Sequence, residues 1–187
     1  ANSYFNTMNE VQQAVQVENY HYAEELIAEN KELQKPENLV LYYGEKGVLA
    51  HLNGRYEESN QFLTLADQRM EALDVTSISG TAVEWLLSNK GQPYRGEDFE
   101  RVMIHYYMAL NYLRLNELES ALVECRRVNT LLREFNDRYE QKNVYKTDAF
   151  MLYLSGIIYD AMGEENDALI DYRHAYETYA GDYRAAY

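Results

Sequence analysis

Residues 149–180 read AFMLYLSGIIYDAMGEENDALIDYRHAYETYA, and this stretch decides the fold. Its small residues include Gly156, Gly163, Ala168 and Ala175, and its large ones include Leu152, Tyr159 and Tyr172. Apolar residues at three-to-four spacing are typical of helices with one buried face. The stretch therefore predicts two helices, at about 147–162 and 165–180, that form a hairpin.

The order of bulky, small and aromatic positions resembles the tetratricopeptide repeat (TPR), a helix–turn–helix unit of about 34 residues. Similar patterns occur at 102–128 and 43–66, and a degenerate copy opens the chain, with Pro36 at the start of a predicted helix. The resemblance implies an array of hairpins that presents binding surface. The repeat-like units span about 4–36, 40–74, 102–135 and 149–182.

The copies are unevenly spaced, so the array contains insertions. One insertion covers about 75–101 and includes the apolar run Ala82–Leu87 with Trp85. We predict a single all-α domain over 1–187, a TPR-like helical-hairpin solenoid of about eight or nine helices. The predicted helices lie at about 4–18, 20–34, 37–53, 56–73, 77–89, 97–115, 117–140, 147–162 and 165–180.

Composition narrows the function classes. The net charge of −14 argues against nucleic-acid binding, because phosphate contacts draw on clustered Lys and Arg. Nineteen tyrosines suit half-buried faces, since Tyr joins an apolar ring to a hydroxyl that needs a partner. Cys125 is the only cysteine, which excludes an internal disulfide and a zinc cluster built from thiols. We expect its thiol to be buried and unreactive.

A second resemblance covers most of the chain. The segments YRGEDFERVMIHYYMALNYL at 94–113 and ALVECRRVN at 121–129, together with residues 44–67, are similar to an uncharacterised family of bacterial cell-envelope lipoproteins with TPR-like repeats. Members of that family carry an acylated cysteine shortly before the first repeat. The resemblance implies a periplasmic or outer-membrane-associated protein, held by a lipid anchor that would precede Ala1.

The loop 94–101 is one candidate binding site. It would present Tyr94 and Arg95 to a partner, with Gly96 at positive φ, where glycine is favoured. The alternative is a helix-entry cap, with acids in the first turn and Glu100 and Arg101 in local salt bridges.

The first helices of the units supply a second candidate, a concave groove. Most of its positions are apolar or aromatic, so either the Ala82–Leu87 insertion or a partner helix or peptide should cover them. The strongest partner-binding candidates are Tyr106, Leu110, Phe150, Tyr153, Ile157 and Asp160. The remaining groove positions are Leu41, Gly44, Val48, His51, Met103 and Leu113.

Other clusters favour structural roles. Glu124 and Arg127 share a helix side and, with Arg126, would either receive a partner's carboxylate or form an ion pair within the chain. The four histidines lie on different predicted helices without metal-ligand spacing, so we predict no metal site and no cofactor.

These observations predict a non-catalytic protein–protein interaction module of the bacterial cell envelope, which binds a protein or peptide partner. The alternative is a structural subunit that self-associates through its Tyr-rich edges, and a remote alternative is an envelope hydrolase. We predict no enzyme, because neither a phosphate loop nor a nucleophile elbow is present in the sequence.

Overall fold

The computed structural model describes residues 2–78, 93–139 and 147–183, and these residues form helices without any strand. A 3₁₀ turn, Pro36–Asn38, precedes α3, and a π-helical turn, Tyr179–Tyr183, follows α8. The all-α helical-hairpin fold predicted from the sequence is confirmed. The α-helices are α1 Asn2–Gln16, α2 Tyr20–Glu29, α3 Leu39–Leu52, α4 Tyr56–Ile78, α5 Asp98–Arg114, α6 Leu118–Arg138, α7 Ala149–Ala161 and α8 Glu165–Thr178.

The chain divides into two compact units, residues 1–104 and 105–187. The first unit contains α1 to α4 and the start of α5, and the second contains the rest of α5 with α6, α7 and α8. A single domain over the whole length and the TPR identity of the hairpins stay predictions.

In the first unit, consecutive helices pack in pairs, α1 on α2, α2 on α3 and α3 on α4. The α3–α4 pair is close because Gly47 has no side chain: a Cβ there would lie 2.5 Å from Leu63 Cδ2. Ser59 adds a buried bond across the same pair, donating its hydroxyl hydrogen to the Gly47 carbonyl at 2.7 Å. The core between α1, α2 and α3 includes Val11, Ala14, Ala23, Ile27, Leu33 and Leu49.

In the second unit, α7 packs between α6 and α8. Gly156 allows the α7–α8 approach, since a Cβ there would lie 2.6 Å from the Tyr172 ring. The buried residues of α6 include Ala121, Leu122, Cys125, Val128, Leu131 and Phe135.

Two predicted helix boundaries are wrong. Helix α2 ends at Glu29 and not near residue 34, because the Asn30 side chain accepts hydrogen bonds from the backbone N–H groups of Glu32 and Leu33 and turns the chain. Helix α4 continues past the expected break at 73 to Ile78. The greater part of the predicted 77–89 helix, with the run Ala82–Leu87, lies outside the described residues.

Candidate partner-binding surface

Helix α7 has one buried and one exposed face. Asp148 starts the helix by accepting a hydrogen bond from the backbone N–H of Met151 at 2.8 Å. Phe150, Tyr153 and Ile157 follow at i, i+3 and i+7 and lie on the exposed face, with Phe150 49% and Tyr153 52% accessible. The buried face consists of Met151, Leu154, Ser155, Gly156 and Ile158.

Helix α8 adds a second row of large side chains, which are exposed except for the half-buried Tyr172. Leu169, Tyr172, Tyr176 and Tyr179 recur at i, i+3, i+7 and i+10, which places them along one side of the helix. Tyr176 is 72% and Leu169 58% accessible. Helices of soluble proteins usually turn such a row inward, so its exposure is unusual.

The two rows meet in an apolar groove of about 630 Å³, lined by residues of α7 and α8. The Tyr153 and Tyr172 rings lie 5.6 Å apart between their centroids and join the two rows. We call this surface the aromatic face; it comprises Phe150, Tyr153, Ile157, Leu169, Tyr172, Tyr176 and Tyr179.

Polar side chains of α7 and α8 flank the aromatic face. The Ser155 hydroxyl donates to the Asp171 carboxylate and joins α7 to α8. Burial raises the pKa of the Tyr172 hydroxyl, and the nearby charge of Asp160 raises it further. Asp160, the predicted groove acid, therefore lies close to the aromatic face and is exposed to solvent.

Tyr106 on α5 extends this surface. Its ring stacks on Phe150 with centroids 5.9 Å apart and an interplanar angle of 11°, and its hydroxyl donates to Asp148 Oδ1 at 2.7 Å. Asp148 in turn donates its backbone N–H to Asn129 Oδ1 on α6 at 2.8 Å. Three helices thus fix the position of Tyr106 beside Phe150. Leu110, one turn further along α5, is half-buried.

The loop before α5 is turned inward and has the geometry of a helix-entry cap. The Tyr94 hydroxyl donates to Glu100 Oε2 at 2.5 Å, and the Glu97 N–H donates to the same oxygen at 2.7 Å. A first-turn glutamate that reaches back to the helix start is one half of a capping box. Burial and the bond to Glu100 raise the pKa of Tyr94, so its hydroxyl stays protonated. Arg95, beside it, is exposed.

Two further features of this loop were expected from the sequence. Gly96 adopts the predicted positive φ, +80°, and packs against the methyl end of Met70. Arg101 forms salt bridges, although not local ones: its guanidinium reaches Asp67 at 2.9 Å and Asp74 at 3.3 Å on α4. The prediction of local salt bridges for Arg101 is therefore wrong, because its buried side chain points toward α4 and away from the first turn of α5.

The predicted groove positions of the first unit, Leu41, Gly44, Val48 and His51, are half-buried on α3. Leu41 packs against the core between α1 and α2, so other helices of the same unit cover part of this row. The row therefore presents less apolar surface than α7 does. On α5, Met103 is exposed and Leu113 half-buried.

Glu124 and Arg127 share a helix side, but each of them pairs with a different residue. Glu124 lies 2.6 Å from Nδ1 of the buried His105, and Arg127 lies 3.9 Å from Glu134. Arg126 donates to the Tyr159 hydroxyl and lies over the Tyr159 ring. These contacts join α6 to α5 and to α7 within the second unit.

The described residues offer little for metal or nucleophilic chemistry. No group of three or more His, Cys, Asp or Glu side chains among them could hold a metal ion. Cys125 is buried as predicted, and burial raises the pKa of its thiol to about 12, which keeps the unreactive protonated form. No helix within the described ranges is both long and apolar enough to cross a membrane.

The α8 half of the aromatic face was missed by sequence reasoning. The sequence identifies Tyr172 only as a large residue of the repeat pattern, and it does not single out Leu169, Tyr176 or Tyr179. The signal was present, because these residues keep the same spacing on α8 as Phe150, Tyr153 and Ile157 keep on α7.

Comparisons with protein-family models, with curated proteins and with solved structures found no match for this chain.

Proposed function

We propose that this chain is a non-catalytic protein-interaction module of a bacterial cell envelope, and that its partner docks on the aromatic face. The observation that carries the proposal is the exposure of six large apolar side chains on one face of the α7–α8 hairpin. They are Phe150, Tyr153, Ile157, Leu169, Tyr176 and Tyr179.

The composition of this surface is typical of a protein–protein interface. Contiguous exposed apolar patches are rare in monomeric soluble proteins and mark interaction sites. Tyrosines are enriched at protein interfaces because each supplies a rigid ring together with a hydrogen-bonding hydroxyl. The aromatic face has four of them, counting the partly buried Tyr172.

The loop 94–101 is the weaker docking candidate. The Tyr94 hydroxyl is already bonded to Glu100, and the Tyr94 backbone N–H donates to the Glu37 carbonyl at 2.8 Å. A partner that engaged the Tyr94 hydroxyl would first have to replace its bond to Glu100. We therefore place docking on the aromatic face, with Tyr106 and Asp160 at its borders.

The envelope location rests on the resemblance of residues 44–67, 94–113 and 121–129 to envelope lipoproteins with TPR-like repeats. The proposal includes an acylated cysteine before Ala1 and a periplasmic or outer-membrane-associated module. Mass spectrometry of the N-terminal peptide from native cells tests it. A diacylated or triacylated cysteine supports the anchor, and a peptide without lipid contradicts it.

Self-assembly is the second candidate, because the same apolar surface would serve a second copy. Light scattering separates the two functions. A monomer at about 1 mM, far above the dissociation constants of stable dimers, excludes self-assembly through this surface.

Photo-crosslinking in native cells tests the docking surface directly. A benzoylphenylalanine replaces Tyr176 on the aromatic face or, as the matched control, Val123, which is 57% exposed on α6. We expect one defined adduct from position 176 and none of that mass from position 123. Equal adducts from both positions, or no adduct from 176, would exclude the aromatic face as the docking site.

A further inference from the structure

The end of the aromatic face at the α7–α8 turn carries two exposed carboxylates, one on each helix. The α7 row ends in Asp160, which lies seven residues after Tyr153 and thus on the same side of the helix. The α8 row begins with Glu165, four residues before Leu169 and again on the same side. Both carboxylates are exposed, and they lie at the end where Gly163 turns the chain from α7 to α8.

Asp160 lies close to Tyr172 of the aromatic face. The charge of this carboxylate is the second cause, after burial, that raises the pKa of the Tyr172 hydroxyl, so the carboxylate lies near the aromatic rows. At the opposite end, near Phe150 and Tyr179, the Asp148 carboxylate already accepts hydrogen bonds from the Tyr106 hydroxyl and the Met151 N–H. Arg173 and Glu177, which have opposite charges and lie one turn apart, border the α8 row away from the turn end.

A third helix would fit along the two apolar rows, because the residues of each row follow one another at helical spacing. From Leu169 to Tyr179 the α8 row spans about 15 Å at 1.5 Å per residue, which is about three helical turns. A helix that lies in such a groove contacts it through side chains at i, i+3 or i+4, and i+7.

From these observations we infer that the occupant of the aromatic face is an amphipathic helix with basic residues at one end of its apolar stripe, oriented so that those residues meet Asp160 and Glu165. This inference rests on the proposed function and adds the chemistry and direction of the partner. Charge complementarity selects this occupant over a second copy of the chain, because two copies with a net charge of −14 each repel.

Fluorescence anisotropy with two synthetic peptides tests the inference. The first is a fluorescein-labelled, 15-residue helical peptide with Leu and Phe at i, i+3, i+7 and i+10 and two lysines one turn beyond one end of that stripe. The second is identical except for glutamates in place of the lysines. We expect the wild-type chain to bind the lysine peptide at least about fivefold more tightly, since two exposed ion pairs contribute about 0.5 kcal/mol each and the glutamates add repulsion.

Two double variants each remove two negative charges, the first from the aromatic face and the second from α6. The double variant Asp160→Asn, Glu165→Gln should lower the preference for the lysine peptide to within about twofold, because both carboxylates are gone. The control Glu119→Gln, Asp137→Asn removes two exposed charges from α6 and should keep the preference. An unchanged preference in the first variant overturns the inference.

The remaining outcomes separate this inference from the proposed function. Equal binding of the two peptides that is lost in Tyr176→Ala overturns the charge assignment and leaves docking on the aromatic face intact. Failure of both peptides to bind overturns the helical occupant, while the crosslink at position 176 still decides the docking site. A dimer that Tyr176→Ala disperses identifies a second copy as the occupant and overturns the inference.

Discussion

Tyr106 donates its hydroxyl hydrogen to Asp148 Oδ1 at 2.7 Å, and this bond attaches α5 to the first turn of α7. The same carboxylate oxygen accepts the Met151 N–H, so one acid both caps α7 and holds Tyr106 beside Phe150. The border of the aromatic face is therefore fixed before any partner arrives, which lowers the ordering cost of binding.

Replacing Tyr106 by Phe should remove this bond while the ring stays stacked on Phe150. A hydrogen bond to a charged group contributes about 1.5–3 kcal/mol, and the bond of Asp148 to Met151 remains, so we expect a loss of about 1–2 kcal/mol in the free energy of unfolding. Urea denaturation measures the change. Tyr153→Phe is the control, since the Tyr153 side chain is half-exposed. Equal stability of the two variants would show that the Tyr106 bond contributes nothing.

The glycines of α3 give a prediction with an internal control. Gly47→Ala places a methyl group 2.5 Å from Leu63 Cδ2 and 3.3 Å from the Leu63 backbone nitrogen, so α3 and α4 must separate. We expect a loss of about 1–3 kcal/mol in the free energy of unfolding, as for other overpacked cores. Gly44→Ala, one turn earlier, has no atom within 4 Å of the new Cβ and should gain about 0.5–1 kcal/mol from helix propensity. Thermal melting of both variants measures this contrast, and the same sign of change in both would contradict the packing at Gly47.

The raised pKa of Glu45 predicts how the free energy of unfolding depends on pH. Burial first, and then the charge of Glu100, raise the pKa of the Glu45 carboxyl to about 6 from its ordinary 4.5. The folded state therefore binds this proton more tightly than the unfolded state does. Its contribution to stability is present below pH 4.5 and is lost as the pH rises through about 6.

The change Glu45→Gln should therefore stabilise the chain at pH 7.5 and have little effect at pH 4. A pKa shift of this size corresponds to about 2 kcal/mol, and partial solvent screening reduces the expected gain to about 1–2 kcal/mol. Denaturation between pH 4 and 8 measures the difference between variant and wild type. Glu71→Gln, which removes one exposed negative charge from the middle of α4, is the matched control for the change in net charge. A pH-independent difference for Glu45→Gln would contradict the raised pKa.

The hairpins were predictable from sequence because their signals are local. Gly156 and Tyr172 lie 16 residues apart, and regular helical spacing is enough to place one against the other. The turn at Gly163 and the buried state of Cys125 follow from the same pattern. Local periodicity thus accounts for the α7–α8 pair and for the core face of α6.

Side-chain partners were less predictable because they depend on distant segments. Arg101 pairs with Asp67, 34 residues away, and Glu124 with His105, 19 residues away, although nearer partners were expected. Tyr94 differs from these two, because its hydroxyl bonds to the nearby Glu100 at the start of α5. The α8 row was overlooked because a Tyr-rich second helix also fits the packing between repeats, and only solvent exposure distinguishes the two roles.

The most direct test of docking on the aromatic face follows the partner protein that crosslinks to position 176. The amount of this partner that co-purifies with the wild-type chain is compared with the amounts that co-purify with two matched double variants. Tyr153→Ala, Tyr176→Ala truncates two exposed rings of the face, and Leu65→Ala, Val123→Ala truncates two exposed apolar side chains elsewhere. Central aromatic residues of interfaces contribute about 2 kcal/mol or more each, so we predict at least a tenfold loss with the first variant and wild-type recovery with the second, both with unchanged circular dichroism. Wild-type recovery with the first variant, or an equal loss with both, would contradict docking on the aromatic face.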